Sequence, residues 1–332
     1  MTDGAQLAGD FARRARWRPA EIVLWIVLLL LPVIVPDRMV LASQILASAL
    51  FALSLDLLLG YGGMISLGHA AYFGIGAYAA GILATHGWTE PITGLLASGL
   101  IAAFCGWLAG FIVVRLNGVA LLMVTMGLGL LVATLANVMQ DWTGGSDGLT
   151  GIELQPILGL FGFDMIGRTG FLYTLAVAFL AFACVRRIVN SPFGLSLQGY
   201  RENPARMAQI GAPMAARLRF VNTIACGLAG IAGALLTQTT QFVGLDYIGF
   251  DRSAEVLTML ILGGGGRLYG GLVGAFVFML GRDVFSAANP QYWYFWLGLL
   301  LVLIVLFLPG GILGGSTDLL GKWRRARIEA KR

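Results

Sequence analysis

Long apolar runs recur along this chain from residue 20 to residue 309, each bounded by Gly, Pro or charged residues. A helix needs about 20 apolar residues to cross a bilayer core roughly 30 Å thick. Run length and breaker positions predict spans at 20–36, 40–59, 64–84, 92–114, 118–139, 170–185, 219–240, 253–263, 268–288 and 293–309. The run 253–263 is too short to cross alone and reads as half of a broken helix. Composition agrees: 58% of the 332 residues are hydrophobic and 12% charged, against roughly 25% charged in a soluble domain. A water-soluble fold of this size cannot hide so much apolar surface. The expected fold class is an all-α integral membrane protein with about ten transmembrane helices, some short or broken. The 47 glycines fit, because small residues let membrane helices approach closely.

Charge bias tests the count. With the N-terminus in the cytoplasm and the spans alternating, all but four of the 22 basic residues fall on the cytoplasmic side. The exceptions are Arg38, Arg168, Arg252 and Arg282. Four acids, Asp141, Asp147, Glu153 and Asp164, share one external loop, 140–169. The domain reading is therefore a cytoplasmic segment 1–19, a transmembrane domain 20–312 and a basic cytoplasmic tail 313–332, with both termini inside. The net charge of +5 reflects this loop bias rather than nucleic-acid binding.

The internal loop 190–217 differs from the external one. Ser191-Pro192 starts a turn. Asn203 is a possible cap and Pro204 the first residue of a short helix that Gly211 could end. Glu202 and Arg206, four apart, could pair on one face or meet charges on a partner. A weak internal repeat is also visible: SALFALSLDLL runs into the break at 60–63, and SAEVLTML runs into the break at 263–266.

Catalytic chemistry is missing. No segment fits the phosphate-binding pattern GxxxxGK[ST], and the glycines at 263–266 and 310–315 lack the required Lys. His69 and His86 have no acid at ligand spacing. Cys105, Cys184 and Cys226 lie apart in apolar runs and read as packing residues. An enzyme is not expected, nor a metal or cofactor held by this chain. Asp56, His69 and Glu255 are ionisable groups within or at the ends of spans, where such groups suggest function. Each has a plainer reading: a water-filled interface for the acids, and packing or hydrogen bonding for the histidine. Gly68, Gly74, Gly76 and Gly81 could flatten one helix surface, either for packing or as a pore wall.

Residues 60–78, GYGGMISLGHAAYFGIGAY, resemble a signature of the LivM-like permease subunits of branched-chain amino acid ABC importers. Residues 143–149 (TGGSDGL) are similar to that family's external motif. Ser191-Pro192-Phe193-Gly194, then Arg201-Glu202-Asn203-Pro204 and Gly211, resemble its cytoplasmic coupling loop. A fourth match is 229–235, with Ser253 and the 263–266 glycines behind it. The likeness runs from about residue 40 to residue 315. It implies a bacterial inner-membrane complex of this chain with a LivH-like second permease, two cytoplasmic ATP-binding subunits and a solute-binding protein. ATP would act on the partner subunits, and Arg201, Glu202, Asn203, Pro204, Arg206 and Gly211 would couple them to transport. Asp56 and Met64 depart from the family pattern, where Asn and Gln or Leu are usual. The departures leave the solute class open, a urea- or amide-type ABC permease included; a secondary transporter independent of ATP, with Asp56 and Glu255 as its candidate intramembrane charges, is a separate alternative.

A polar solute needs hydrogen-bonding groups inside the membrane, and broken helices free backbone groups at mid-membrane depth. The expected solute path lies between the two glycine breaks, lined by Gly63, Ser66, His69, Ser253 and Gly264.

Overall fold

The computed structural model describes residues 19–315, apart from 158, 160, 163, 165 and 309. The N-terminal arginines and most of the basic tail lie outside the described residues. Among the described residues the chain is helical, with only isolated β-bridges. The helices are α1 (Pro19–Ile34), α2 (Met39–Asp56), α3 (His69–Thr85), α4 (Pro91–Val113), α5 (Gly118–Val138), α6 (Gln140–Thr143) and α7 (Arg168–Val189). They continue with α8 (Pro192–Glu202), α9 (Pro204–Gln209), α10 (Met214–Thr240), α11 (Phe250–Gly263), α12 (Gly270–Ala288) and α13 (Trp293–Phe307).

Among the described residues, seven helical segments are long and apolar enough to cross a membrane: 36–61, 91–113, 118–138, 168–189, 214–240, 270–288 and 293–315. The chain is thus a multi-pass membrane protein. The other three expected spans correspond to α1, α3 and α11, of 16, 17 and 14 residues.

The 27-residue α10 is the central pillar, packed against α4, α3 and α2. Its small residues make this possible. A Cβ on Gly233 would fall 1.9 Å from the Phe73 carbonyl oxygen, so α3 and α10 touch backbone to backbone. Of the most apolar stretch of α10, 78% is buried, against 22% for α5. The outer helices leave their apolar faces to lipid or to partner chains.

Near the chain's start, α1 is tied to α7 by an ion pair between Glu21 and Arg186, and Trp25 packs edge-on against Phe179 at 4.9 Å. In the loop 140–169, Leu149 exchanges backbone hydrogen bonds of 2.8 and 3.2 Å with Val243. The TGGSDGL motif is thereby fastened to the segment that leads into α11.

The loop 190–217 folds as two helices where the sequence suggested a turn and one helix. Ser191 caps α8, accepting from the Gly194 N–H at 3.4 Å, with Pro192 in the first turn. A Ser-Pro pair serves a helix start as readily as a turn. Asn203 caps α9 through the Arg206 N–H at 3.0 Å. Gly211, at φ +74°, lies just past the helix end. Because α8 ends at Glu202 and α9 starts at Pro204, Glu202 and Arg206 stand on different helices and form no ion pair.

Candidate functional site

Two chain breaks meet in this fold. The span that includes α2 ends in a wide π turn, Leu57–Tyr61, and stops at Gly63 with φ +70°. The Met64 N–H reaches back to the Leu58 carbonyl at 3.1 Å, a left-handed glycine stop made one residue wider by the π turn. Helix α11 also stops at a glycine of positive φ, Gly264 at +103°, without a π turn. A side chain would be strained at either position.

The two endings are hydrogen-bonded to each other. Asp56, fully buried, accepts the Gly266 N–H on Oδ1 at 2.6 Å. Arg201, from the last turn of α8, donates to the Gly60 carbonyl. A Cβ on Gly60 would lie 2.0 Å from Asp56 Oδ1 and 2.5 Å from the Gly266 nitrogen. The junction therefore tolerates only glycine there. One carboxylate, two glycine stops and one guanidinium lock α2, α11 and α8 together.

Both breaks lie at helix ends. Residues 36–61 form a full 26-residue span before the first break. A π turn keeps the chain helical to Tyr61, which a sequence reading of glycines cannot anticipate.

The five expected path residues separate into two groups. Gly63 and Gly264 sit at the breaks. Gly63 is exposed beside Arg201, while Gly264 is buried against residues 310–311. His69 and Ser253 come together at the start of α3. The Ala70 N–H donates to Ser253 Oγ at 3.0 Å, so α11 caps α3 from outside its own sequence. His69 is fully buried, stacked on Phe51 with ring centroids 5.6 Å apart, and its Nε2 is 2.9 Å from Ser54 Oγ. Ser66 lies between the groups in the non-helical stretch before α3. Each glycine of α3's small-residue series faces protein. Gly68 meets Thr125, Gly74 Ile248, Gly76 Gly230 and Gly81 Leu149. They pack several neighbours instead of flattening one surface.

The opposite ends of α2 and α11 build something different. A cavity of about 460 Å³ opens between α2, α10, α11 and α12. Glu255 at its wall is held by Arg252 at 2.8 Å and faces Arg282 at 3.7 Å. Asp283 pairs with Arg38 at 2.9 Å. Asp246 and Asp251 stand at the rim. Sequence reasoning singled out Glu255 and missed its neighbours, yet the signal was present. Arg38, Arg252 and Arg282 are three of the four exceptions to the charge split, and each is ion-paired here.

Packed apolar helices, a charged cavity at one end and a hydrogen-bonded seal at the other define a membrane permease. The chain matches, over residues 39–305, the family described as branched-chain amino acid transport system / permease component. It is 30% identical over 286 residues to the high-affinity branched-chain amino acid transport system permease protein LivM of Escherichia coli (strain K12), covering 80% of this chain and 67% of that protein. The LivM protein of Salmonella typhimurium (strain LT2) is 29% identical over 294 residues, 82% of this chain and 69% of its own length. The probable LivM protein of Methanocaldococcus jannaschii is 25% identical over 301 residues, 79% and 84% of the two chains. No solved structure matches the chain. The chain belongs to the family of branched-chain amino acid transport permease components.

Proposed function

We propose that this chain is the permease subunit of an ABC importer that brings branched-chain amino acids into the cell. The observation that carries the reading is the Arg201 contact. A cytoplasmic helix pair with firm caps at both starts touches the point where two membrane helices end, so force on α8 reaches α2 and α11 directly. ATP would bind and be hydrolysed on two cytoplasmic partner subunits seated against Arg201, Glu202, Asn203, Pro204, Arg206 and Gly211. A LivH-like second permease would cover the exposed apolar helices, and a solute-binding protein would deliver the amino acid from outside.

In this reading the chain sits in a bacterial inner membrane with both termini cytoplasmic. The seven long spans are joined by α1, α3 and α11 as shorter or broken ones, and the two break-ended segments are copies of one weak repeat. The divisions 1–19, 20–312 and 313–332 follow. Alternating access would release the Asp56–Gly266 and Arg201–Gly60 contacts, parting the two glycine stops on the inner side. Solute would then pass along Gly63, Ser66 and Gly264, with His69 and Ser253 holding α3 in place beside them.

Purification in mild detergent tests the reading: a P-loop ATPase should come with the chain, and vesicles holding the complex should take up leucine only with ATP. ATP-independent uptake, or no associated ATPase, would overturn it. External cysteine labelling should reach residue 146 and miss residue 205.

A further inference from the structure

We infer that the cavity between α2, α10, α11 and α12 binds a zwitterionic α-amino acid, a site that deepens the importer reading and rests on it. Its volume, about 460 Å³, lies in the ordinary range for small-molecule sites. Ion pairs that serve only stability are satisfied within the protein, and these are not all satisfied. Ser48, 1% exposed, lines the cavity, and its hydroxyl has no protein partner. The Arg252 Nε is likewise buried without a partner. Unmet buried polar atoms are uncommon and call for an explanation, and a polar ligand supplies it.

The charges say which ligand. Asp246 and Asp251 at the rim form no ion pair among the described residues, which leaves acceptors for an ammonium group. Arg282 is the loosely held cation. Its side chain is 42% exposed, 3.7 Å from Glu255, with its guanidinium 5.5 Å from the Trp293 ring centre. That guanidinium is placed to take a carboxylate. Leu41, Leu236 and Met279 add apolar wall for an aliphatic side chain. Both charges of one small molecule are met, and a molecule with one charge leaves half the site unpaired.

The test uses the full chain with its co-expressed partners in nanodiscs, carrying Gln44→Cys, and follows maleimide labelling against the wild-type chain as background for the native cysteines. Leucine should slow labelling at Cys-substituted position 44, whereas leucinamide and 4-methylpentanoate, each lacking one charge, should not. Arg282→Gln and Asp251→Asn should each raise the protecting leucine concentration about tenfold, as loss of a charged hydrogen bond predicts. Ser48→Ala disturbs no ion pair and should raise it about threefold, so it carries the test if a charge variant fails to insert. Equal protection by all three compounds, or none by leucine, overturns the site. Protection without ATP-driven leucine uptake would overturn the importer reading and leave the site standing. Uptake without protection does the reverse.

Discussion

Helices α2 and α11 run side by side and end in opposite chemistries. At one end Ser48, Glu255 and the residues around them form an open, charged cavity. At the other, the Asp56 side chain and Gly60 close on the Gly266 backbone with no room for a Cβ at Gly60. Between them the buried side chains of Phe51, Leu55, Val256 and Met259 fill the core. The same two rods thus carry a cup and a stopper. Gly60 tolerates no side chain, because a Cβ there would meet both Asp56 and the Gly266 nitrogen. A few hydrogen bonds hold the one end, while the other is held by paired charges.

The comparison breaks most severely at Gly60. Gly60→Val places new carbon atoms inside the Asp56–Gly266 contact, an overpacking cost of about 1–3 kcal/mol or more. Leucine uptake should fall more than tenfold, with much less chain reaching the membrane. Wild-type uptake by this variant would mean that the seal is not closed as described.

A smaller effect is expected when the clasp is cut and the packing kept. Arg201→Gln removes a charge-assisted hydrogen bond, worth about 1.5–3 kcal/mol in partly buried settings and less at an exposed side chain. Insertion should be normal, and ATP hydrolysis without solute should rise severalfold while uptake falls. If hydrolysis and uptake fall in proportion, Arg201 serves assembly and not the seal.

Ser253→Ala sharpens the comparison from a third side. It removes the cap on α3 and should cost about 1 kcal/mol, in line with other cap losses. In detergent the unfolding midpoint should drop by a few degrees, with the leucine half-saturation concentration unchanged. A changed half-saturation would place Ser253 in the solute path itself.

Least effect on the chain alone is expected from Glu202→Lys. Glu202 is exposed and has no ion-pair partner among the described residues. Stability and insertion should stay as they are, and co-purification of the ATPase should be lost or ATP hydrolysis uncoupled from uptake. Normal transport would remove Glu202 from the coupling surface.

Much of this architecture was legible in residue order. Apolar run length located the seven long spans, because lipid imposes a minimum length on any crossing helix. The Asn203-Pro204 start and the Gly211 stop were readable because caps are local chemistry. The helix at 192–202 was not, since Ser-Pro announces a turn and a helix start alike. The glycines of α3 were visible as a series, but their spacing does not say how many neighbours they meet. The charged cavity was written in the exceptions to the charge split, and it emerges only when Arg38, Arg252 and Arg282 are set beside acids far away in sequence.

Sequence by itself determined what each segment could be: apolar enough to cross, small enough to pack, capped or stopped at a given residue. These are properties of near neighbours along the chain, governed by solvent transfer and backbone sterics. Tertiary structure alone decided which ends meet. Asp56 reaches Gly266 across 210 positions, Ser253 caps a helix 183 positions earlier, and Arg201 finds the carbonyl of Gly60 across 141. Such contacts depend on how the helices pack around α10, and no local pattern encodes a partner that only packing brings within hydrogen-bond reach.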